Sequence, residues 1–399
     1  MKLRSLRIPR PLRGNGLDAD CEVFDITIES GKVVAVEGAA DQRSRGTVIS
    51  SPVDAHVHID KSYTVREVGP ANGDLFAAIS RMDRHSALWT EAHITTRMEK
   101  ALHDAWHAGT RALRTHLDWK GAEPPLALAA FEQARHRWQG RLELQFVSLT
   151  PLDVFADVNA GRCIAQQVQR SGGVLGAFIY RNDDLVHKLG RVLDLAQEHH
   201  LSLDFHVDEG LDADATGLRT IAQLVIERGG LPGLRVVCGH ACSLSMQAAE
   251  EANETLRLCV LAGIHLIALP TTNLYLQGAW SATPLERGIT RVREAQAIGL
   301  RPVLATDNVQ DAFYPYGSYD LMQTFGLGVQ MAHLAPAQDW LGAITTHAAA
   351  ALGLAWDGLI APDCPADLLV LDAADEFELL DVRGHARTVV RAGRILERR

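Results

Sequence analysis

The stretch Thr47-Val-Ile-Ser-Ser-Pro-Val-Asp54-Ala-His56-Val-His58-Ile-Asp60 runs from β-branched, apolar residues into a tight group of carboxylates and imidazoles. An apolar run of this length reads as a buried strand, and the polar group as its end. His56 and His58 are two positions apart, so on a strand they point to the same face. Two imidazoles on one face are a start toward a divalent-cation site. Alone the pair is a weak signal: with 17 histidines in 399 residues, chance yields about 0.7 His-x-His per chain.

The pattern recurs downstream. Short apolar runs at Arg111–Asp118, Leu142–Thr150, Val174–Tyr180, Leu201–Val207, Arg235–His240, His265–Leu269 and Arg301–Thr306 make eight with Thr47–His58. Stretches with helical spacing, such as Ala215–Arg228 and Leu285–Ala297, lie between them. Strand–helix alternation implies a parallel sheet, and eight units over about 300 residues match the size of a (β/α)8 TIM-like barrel. A doubly wound open sheet is the alternative, but no Gly-x-Gly-x-x-Gly follows the first strand.

In a barrel, strand ends share one mouth, where active sites form. Five runs end in chemistry: Asp54–Asp60, Thr115-His-Leu-Asp118, Asp204-Phe-His206-Val-Asp-Glu209, Gly239-His240 and Thr306-Asp307-Asn308. Taken singly, His206 and His240 read as structural histidines and Asp307 as a helix cap or turn residue. Five such coincidences at five strand ends are improbable together. Imidazoles with a carboxylate suit Zn²⁺ or Fe²⁺, and also accept Mn²⁺.

Both ends of the chain differ from this middle. Glu22–Glu29, the Ser30-Gly31 turn and Lys32–Glu37 form a hairpin pattern, and Ala366–Leu371, Arg387–Arg391 and Arg394–Leu396 look alike. The expected organisation is a small β-sandwich domain from residues 1–50 plus 355–399, flanking a catalytic barrel over 51–354.

Composition agrees with an α/β enzyme: 47% hydrophobic and 22% charged residues exclude a disordered or fibrous chain. The net charge of −10 repels polyanions, and basic clusters occur only at Met1–Arg13 and Arg387–Arg399, so no nucleic-acid partner is expected. No window of eighteen apolar residues exists, and no apolar segment follows the basic N-terminus, so neither a membrane span nor a signal peptide is expected. The six cysteines are scattered without a Cys-x-x-Cys pair, which fits a reducing cytoplasm. Cys238 and Cys242 lack a partner pair and are not expected to bind metal.

These motifs, with Arg114-Thr-His-Leu-Asp118, Asn273-Leu-Tyr-Leu-Gln-Gly278, Arg287-Gly-Ile-Thr-Arg-Val292 and Ala366–Leu371, resemble the cytosine deaminase-like branch of the amidohydrolase superfamily over nearly the whole chain. The resemblance implies one divalent metal held by His56, His58, His206 and Asp307. The fourth strand carries no lysine to bridge two metals, which implies a mononuclear centre. It further implies a hydrolytic deaminase of a small amino-substituted N-heterocycle (a cytosine-like pyrimidine, a pterin or an aminotriazine) that releases ammonia. Metal-activated hydroxide would attack the amino-bearing ring carbon, with Glu209 as proton shuttle and His240 and Asp307 holding the hydroxide and taking its proton. Relatives commonly assemble, so a homo-oligomer is expected.

Two departures bear on the substrate. The Gln that reads the pyrimidine edge in cytosine deaminase aligns with Pro151, which has no side-chain donor or acceptor. After Asp307 stands Asn308 in place of a second carboxylate, and Phe313 replaces a larger Trp. Asp118, Pro151, Asn308 and Phe313 are therefore the candidate substrate contacts, with Asp118 expected to bind a ring N–H or to orient His116. The stretch Asp54–Thr64 with Asp307-Asn308 is also similar to N-isopropylammelide amidohydrolase, which makes removal of an alkylamine, or opening of a cyclic amide, the alternative reaction. A catalytically silent binding protein is disfavoured because every expected ligand is present.

Overall fold

The computed structural model describes residues 1–71, 75–380 and 387–397. Residues 381–386 and 398–399 of the expected terminal unit, including Arg398 and Arg399 of the C-terminal basic cluster, lie outside the described residues.

In chain order the strands are β1 (Lys2–Arg7), β2 (Val23–Glu29), β3 (Lys32–Gly38), β4 (Thr47–Ser50), β5 (Val53–Val57), β6 (Ala112–Asp118), β7 (Glu143–Pro151), β8 (Val174–Ile179), β9 (Leu203–Val207), β10 (Val236–His240), β11 (Ile264–Ala268), β12 (Val303–Leu304), β13 (Leu368–Leu371), β14 (Arg387–Arg391) and β15 (Arg394–Ile395). Strands β5 to β12 form one eight-stranded sheet in sequence order, every pairing parallel. It closes on itself beyond the short β12: Asp307 N–H donates to the His56 carbonyl (2.9 Å), and Thr306 N–H donates to the Asp54 carboxylate (3.0 Å). This is the expected (β/α)8 barrel.

The opening run Thr47–His58 is two strands, not one. Pro52, which has no N–H to give to a ladder, separates β4 from β5. β4 pairs with β13 and β1, and β5 with β6. β4 joins the second sheet, whose seven strands run in the order β15-β14-β13-β4-β1-β2-β3. Both termini thus build one β unit. The predicted helix over Leu285–Ala297 is shorter, Val292–Ile298. Ala215–Arg228 holds a helix over Gly217–Glu227.

Alternation along the strands fixes what faces the barrel axis. On β6, Leu113 and Leu117 pack outward into the layer between strands and helices, which leaves Arg114, His116 and Asp118 inside. Phe205 and Val207 of β9 likewise face the helices, and Asp204 and His206 face in. Two of the outer helices carry side-chain caps: the Asp157 carboxylate accepts from Asn159 and Ala160 N–H at the start of Val158–Arg170 (2.8 and 3.3 Å), and the Thr90 hydroxyl accepts from His93 N–H (3.3 Å) at the start of Glu91–Ala108. Among the described residues no helix is long and apolar enough to cross a membrane.

Candidate active site

The four predicted ligands lie close together. His56 Nε2 lies 3.1 Å from His206 Nε2, and His206 Nε2 lies 3.2 Å from His58 Nε2. Asp307 Oδ1 is 3.2 Å from His58 Nε2 and 3.7 Å from His56 Nε2. Burial, together with the crowding of the imidazoles on one another and, for His58 and His206, the Lys61 charge, pushes all three imidazoles well below their ordinary pKa, so they are neutral. Lone pairs on neutral nitrogens repel at this range, and neither Asp307 oxygen accepts a hydrogen bond of normal geometry. A divalent cation resolves both problems. Donors about 2.0–2.1 Å from a tetrahedral Zn²⁺ stand about 3.3 Å apart, close to the observed spacings. The donor set fits one such ion. Cys238 and Cys242 are buried free thiols outside this cluster.

The strand ends are bent to deliver these groups. Asp208, His240, Ala241 and Asp307 all have left-handed backbone, with φ of +51°, +70°, +48° and +65°. Such conformations cost about 1–3 kcal/mol each in non-glycine residues and gather at functional sites. Gly239 is required for a different reason: a Cβ there would stand 2.9 Å from the His56 ring.

Glu209 and His240 sit beside the cluster. Glu209 Oε1 is 3.3 Å from His240 Nδ1, and the Asn273 amide also bonds that nitrogen at 3.1 Å. Burial, reinforced by the Asp307 charge, holds the Glu209 carboxyl well above the usual carboxylate range. Burial lowers His240 to about 4. The site therefore pairs a carboxyl that burial biases toward its protonated form with a neutral imidazole. Asn273, within the stretch Asn273–Gly278, thus points its side chain at a catalytic candidate.

These groups open into a cavity of about 160 Å³. Asp118, Pro151, Asn308 and Phe313 all line it, as do His58, His206, Glu209, His240 and Asp307. Leu75, Ile79, Met82, Leu149 and Phe178 supply an apolar flank. Asn308 Nδ2 donates to Asp311 (2.7 Å), whose other oxygen accepts from Phe313 and Tyr314 N–H (2.9 and 3.1 Å) and so shapes the Phe313 loop. Asp118 does not orient His116. Its carboxylate takes the Lys61 ammonium instead, with both oxygens at 2.8 Å. Lys61, not among the expected contacts, lines the cavity with them.

Beneath the cluster lies a charged layer with no counterpart in the expected site. Arg114 Nη1 donates to Asp204 (2.9 Å), Arg114 Nε and Nη2 donate to Gln145 Oε1 (3.1 and 2.7 Å), and Gln145 Nε2 donates to the Leu352 carbonyl (3.1 Å). His116 stacks on His56 with centroids 3.9 Å apart. His116 also lies within reach of the same point as His56, His58 and His206, and its Nε2 faces Asp204 at 3.3 Å.

Barrel, mouth and donor set together have the form of a hydrolase active site. The chain belongs to the amidohydrolase family, whose model matches residues 100–396. It is 34% identical over 384 residues to a pterin deaminase of Rhizobium rhizogenes, covering 95% of this chain and 87% of the relative. It is 24% identical over 406 residues to an N-isopropylammelide isopropyl amidohydrolase of Pseudomonas sp., covering 96% of both. The crystal structure of 5-methylcytosine deaminase from Klebsiella pneumoniae bound to phosphonocytosine superposes with a TM-score of 0.87 at 26% identity, covering 100% of this chain and 98% of the other.

Proposed function

We propose that this hydrolase is a deaminase that binds one divalent cation through His56, His58, His206 and Asp307 and releases ammonia from an amino-bearing carbon of a pterin-like ring. The observation that carries the reading is a buried carboxyl, Glu209, 3.3 Å from His240 in the same cavity as a donor set of cation-binding geometry; burial raises it above the usual carboxylate range, which suits a proton donor. The pterin deaminase relative supports the ring type. The cavity's apolar flank suits an aromatic ring face.

When bound, the cation supplies Lewis acidity that makes a water proton easier to remove near neutral pH. The protein's own groups do the rest. His240 and Asp307 orient the attacking water, and the Asp307 carboxylate takes its proton. Glu209 donates its proton to the ring nitrogen beside the reacting carbon as that carbon becomes tetrahedral. The carboxylate so formed recovers the first water proton from Asp307 and delivers it to the amino group. As the C–N bond breaks and ammonia leaves, the hydroxyl on the reacting carbon becomes the carbonyl, and its proton passes by way of Asp307 back to Glu209. The apolar flank keeps bulk water from the ring.

A second reading, release of an alkylamine, is favoured by the N-isopropylammelide relative and by Asn308 following Asp307. Product analysis separates the two. Metal-loaded protein offered pterins, aminopyrimidines and N-alkylaminotriazines should release ammonia from an unsubstituted amino group; alkylamine as the sole product would establish the second reading instead.

A further inference from the structure

The cavity wall carries an ion pair with no part in the proton transfers above. Lys61 follows β5, and its side chain is only 3% exposed. Its ammonium spends two N–H on Asp118, and among the described residues no acceptor takes the third. Asp118, at the end of β6, is 31% exposed and lines the cavity. The Phe313 ring lies 5.5 Å from Lys61 Nζ, on the same wall. Burying an ammonium and a carboxylate is costly compared with an apolar pair of similar volume. Neighbouring β7 contributes Pro151, which has nothing to bond a ring edge with. Asp83 and Lys120 also line the cavity, but they pair with each other at 2.8 Å and are more than half exposed, so Lys61 and Asp118 are the buried donor and its neighbouring acceptor on this side.

Building on the deaminase reading, we infer that Lys61 and Asp118 are specificity-determining residues that read a lactam edge of the substrate, Lys61 donating to a ring carbonyl oxygen and Asp118 accepting from the adjacent ring N–H. The class selected is a 2-amino-4-oxo heterocycle. Its reacting carbon lies between two ring nitrogens: one N–H is held by Asp118, and the other nitrogen receives the Glu209 proton. A 2,4-diamino analogue reverses the edge. Its exocyclic amino group then faces an ammonium, and a ring lone pair faces a carboxylate, so both contacts become repulsive. Sites built to bond a polar edge reject the mismatched analogue by factors of about 10⁴.

The test compares kcat/KM for 2-amino-4-oxopteridine and 2,4-diaminopteridine on the metal-loaded enzyme. The wild type should prefer the oxo ring by at least about 10²-fold. Lys61→Met should lose the preference mainly through activity on the oxo ring, leaving a ratio near one. Lys61→Met leaves Asp118 unpaired, so Lys61→Met/Asp118→Leu, which removes both charges, guards against misfolding and should give the same ratio. Affinity for the deaminated dioxo product, followed by its fluorescence, should fall at least tenfold in the double variant. That measurement stands even if no ring proves to be deaminated, an outcome that would remove the proposed reaction and not the edge reading. A folded, metal-retaining variant with the wild-type ratio, or with unchanged product affinity, overturns the inference, as does a wild type that treats the two rings alike.

Discussion

Arg114 and Asp204 form an ion pair inside the barrel directly below the imidazole cluster, with side chains 2% and 0% exposed. Arg114→Met would strand the Asp204 carboxylate beside His116 and leave Gln145 Oε1 without its donors. Removing one member of such a pair costs about 3–5 kcal/mol, because the survivor is a charge without water or partner. Asp204→Leu should cost a similar amount by stranding the guanidinium. The double variant strands neither charge. Its remaining penalty is the unsatisfied Gln145 oxygen, about 1–3 kcal/mol. The two single losses sum to about 6–10 kcal/mol, so the cycle should show a coupling energy of at least about 3 kcal/mol. Urea unfolding of the metal-loaded proteins, followed by fluorescence of the seven tryptophans, measures the midpoints, with m-values checked for constancy. Additive losses, with the double variant the least stable of the four, would refute the reasoning that the pair holds itself together against desolvation.

Glu209→Gln keeps the shape of the site but cannot release and regain a proton; kcat should drop by about 10²–10⁴, with the thermal midpoint little changed. Burial raises Asp311 to about 6, above its unfolded value, so its contribution to stability is complete at pH below about 4 and fades as pH rises through 6. Integrated over that window the loss is about 3 kcal/mol; Asp311→Asn should flatten the corresponding part of the stability–pH curve measured by denaturation between pH 4 and 7. Chelation should lower the thermal midpoint as well as abolish activity, since an ion at 100 times its dissociation constant stabilises the fold by about 2.7 kcal/mol, and adding back Zn²⁺ should restore both.

What could be read from the sequence followed from local regularity. The eight apolar runs and their polar ends mark the barrel and its mouth because strand ends are local signals, and His56, His58, His206, Glu209, His240 and Asp307 each lie within a few positions of one. Pairings across the barrel leave no such trace. Lys61 and Asp118 are 57 positions apart, and nothing near either names the other. The Arg114–Asp204 pair is hidden in the same way, since both residues interrupt runs that otherwise look apolar. Thr47–His58 appeared as one strand because apolar composition continues across Pro52, and only the sheet pairing shows the change of partner. The helix predicted from Leu285 starts seven residues later, since Arg287 is drawn to the Leu274 carbonyl (2.8 Å) and holds its segment against the helix over Pro270–Leu276.

The most direct test is crystallographic. Anomalous difference density collected at the Zn, Fe and Mn edges from protein purified without chelator should contain one peak per chain, bonded to His56, His58 and His206 Nε2 and to an Asp307 oxygen at about 2.0–2.2 Å, and His206→Ala should abolish it. Protein that deaminates its ring with no peak at that point, or a peak ligated by His116 with Asp307 uninvolved, would contradict the assignment on which the mechanism stands.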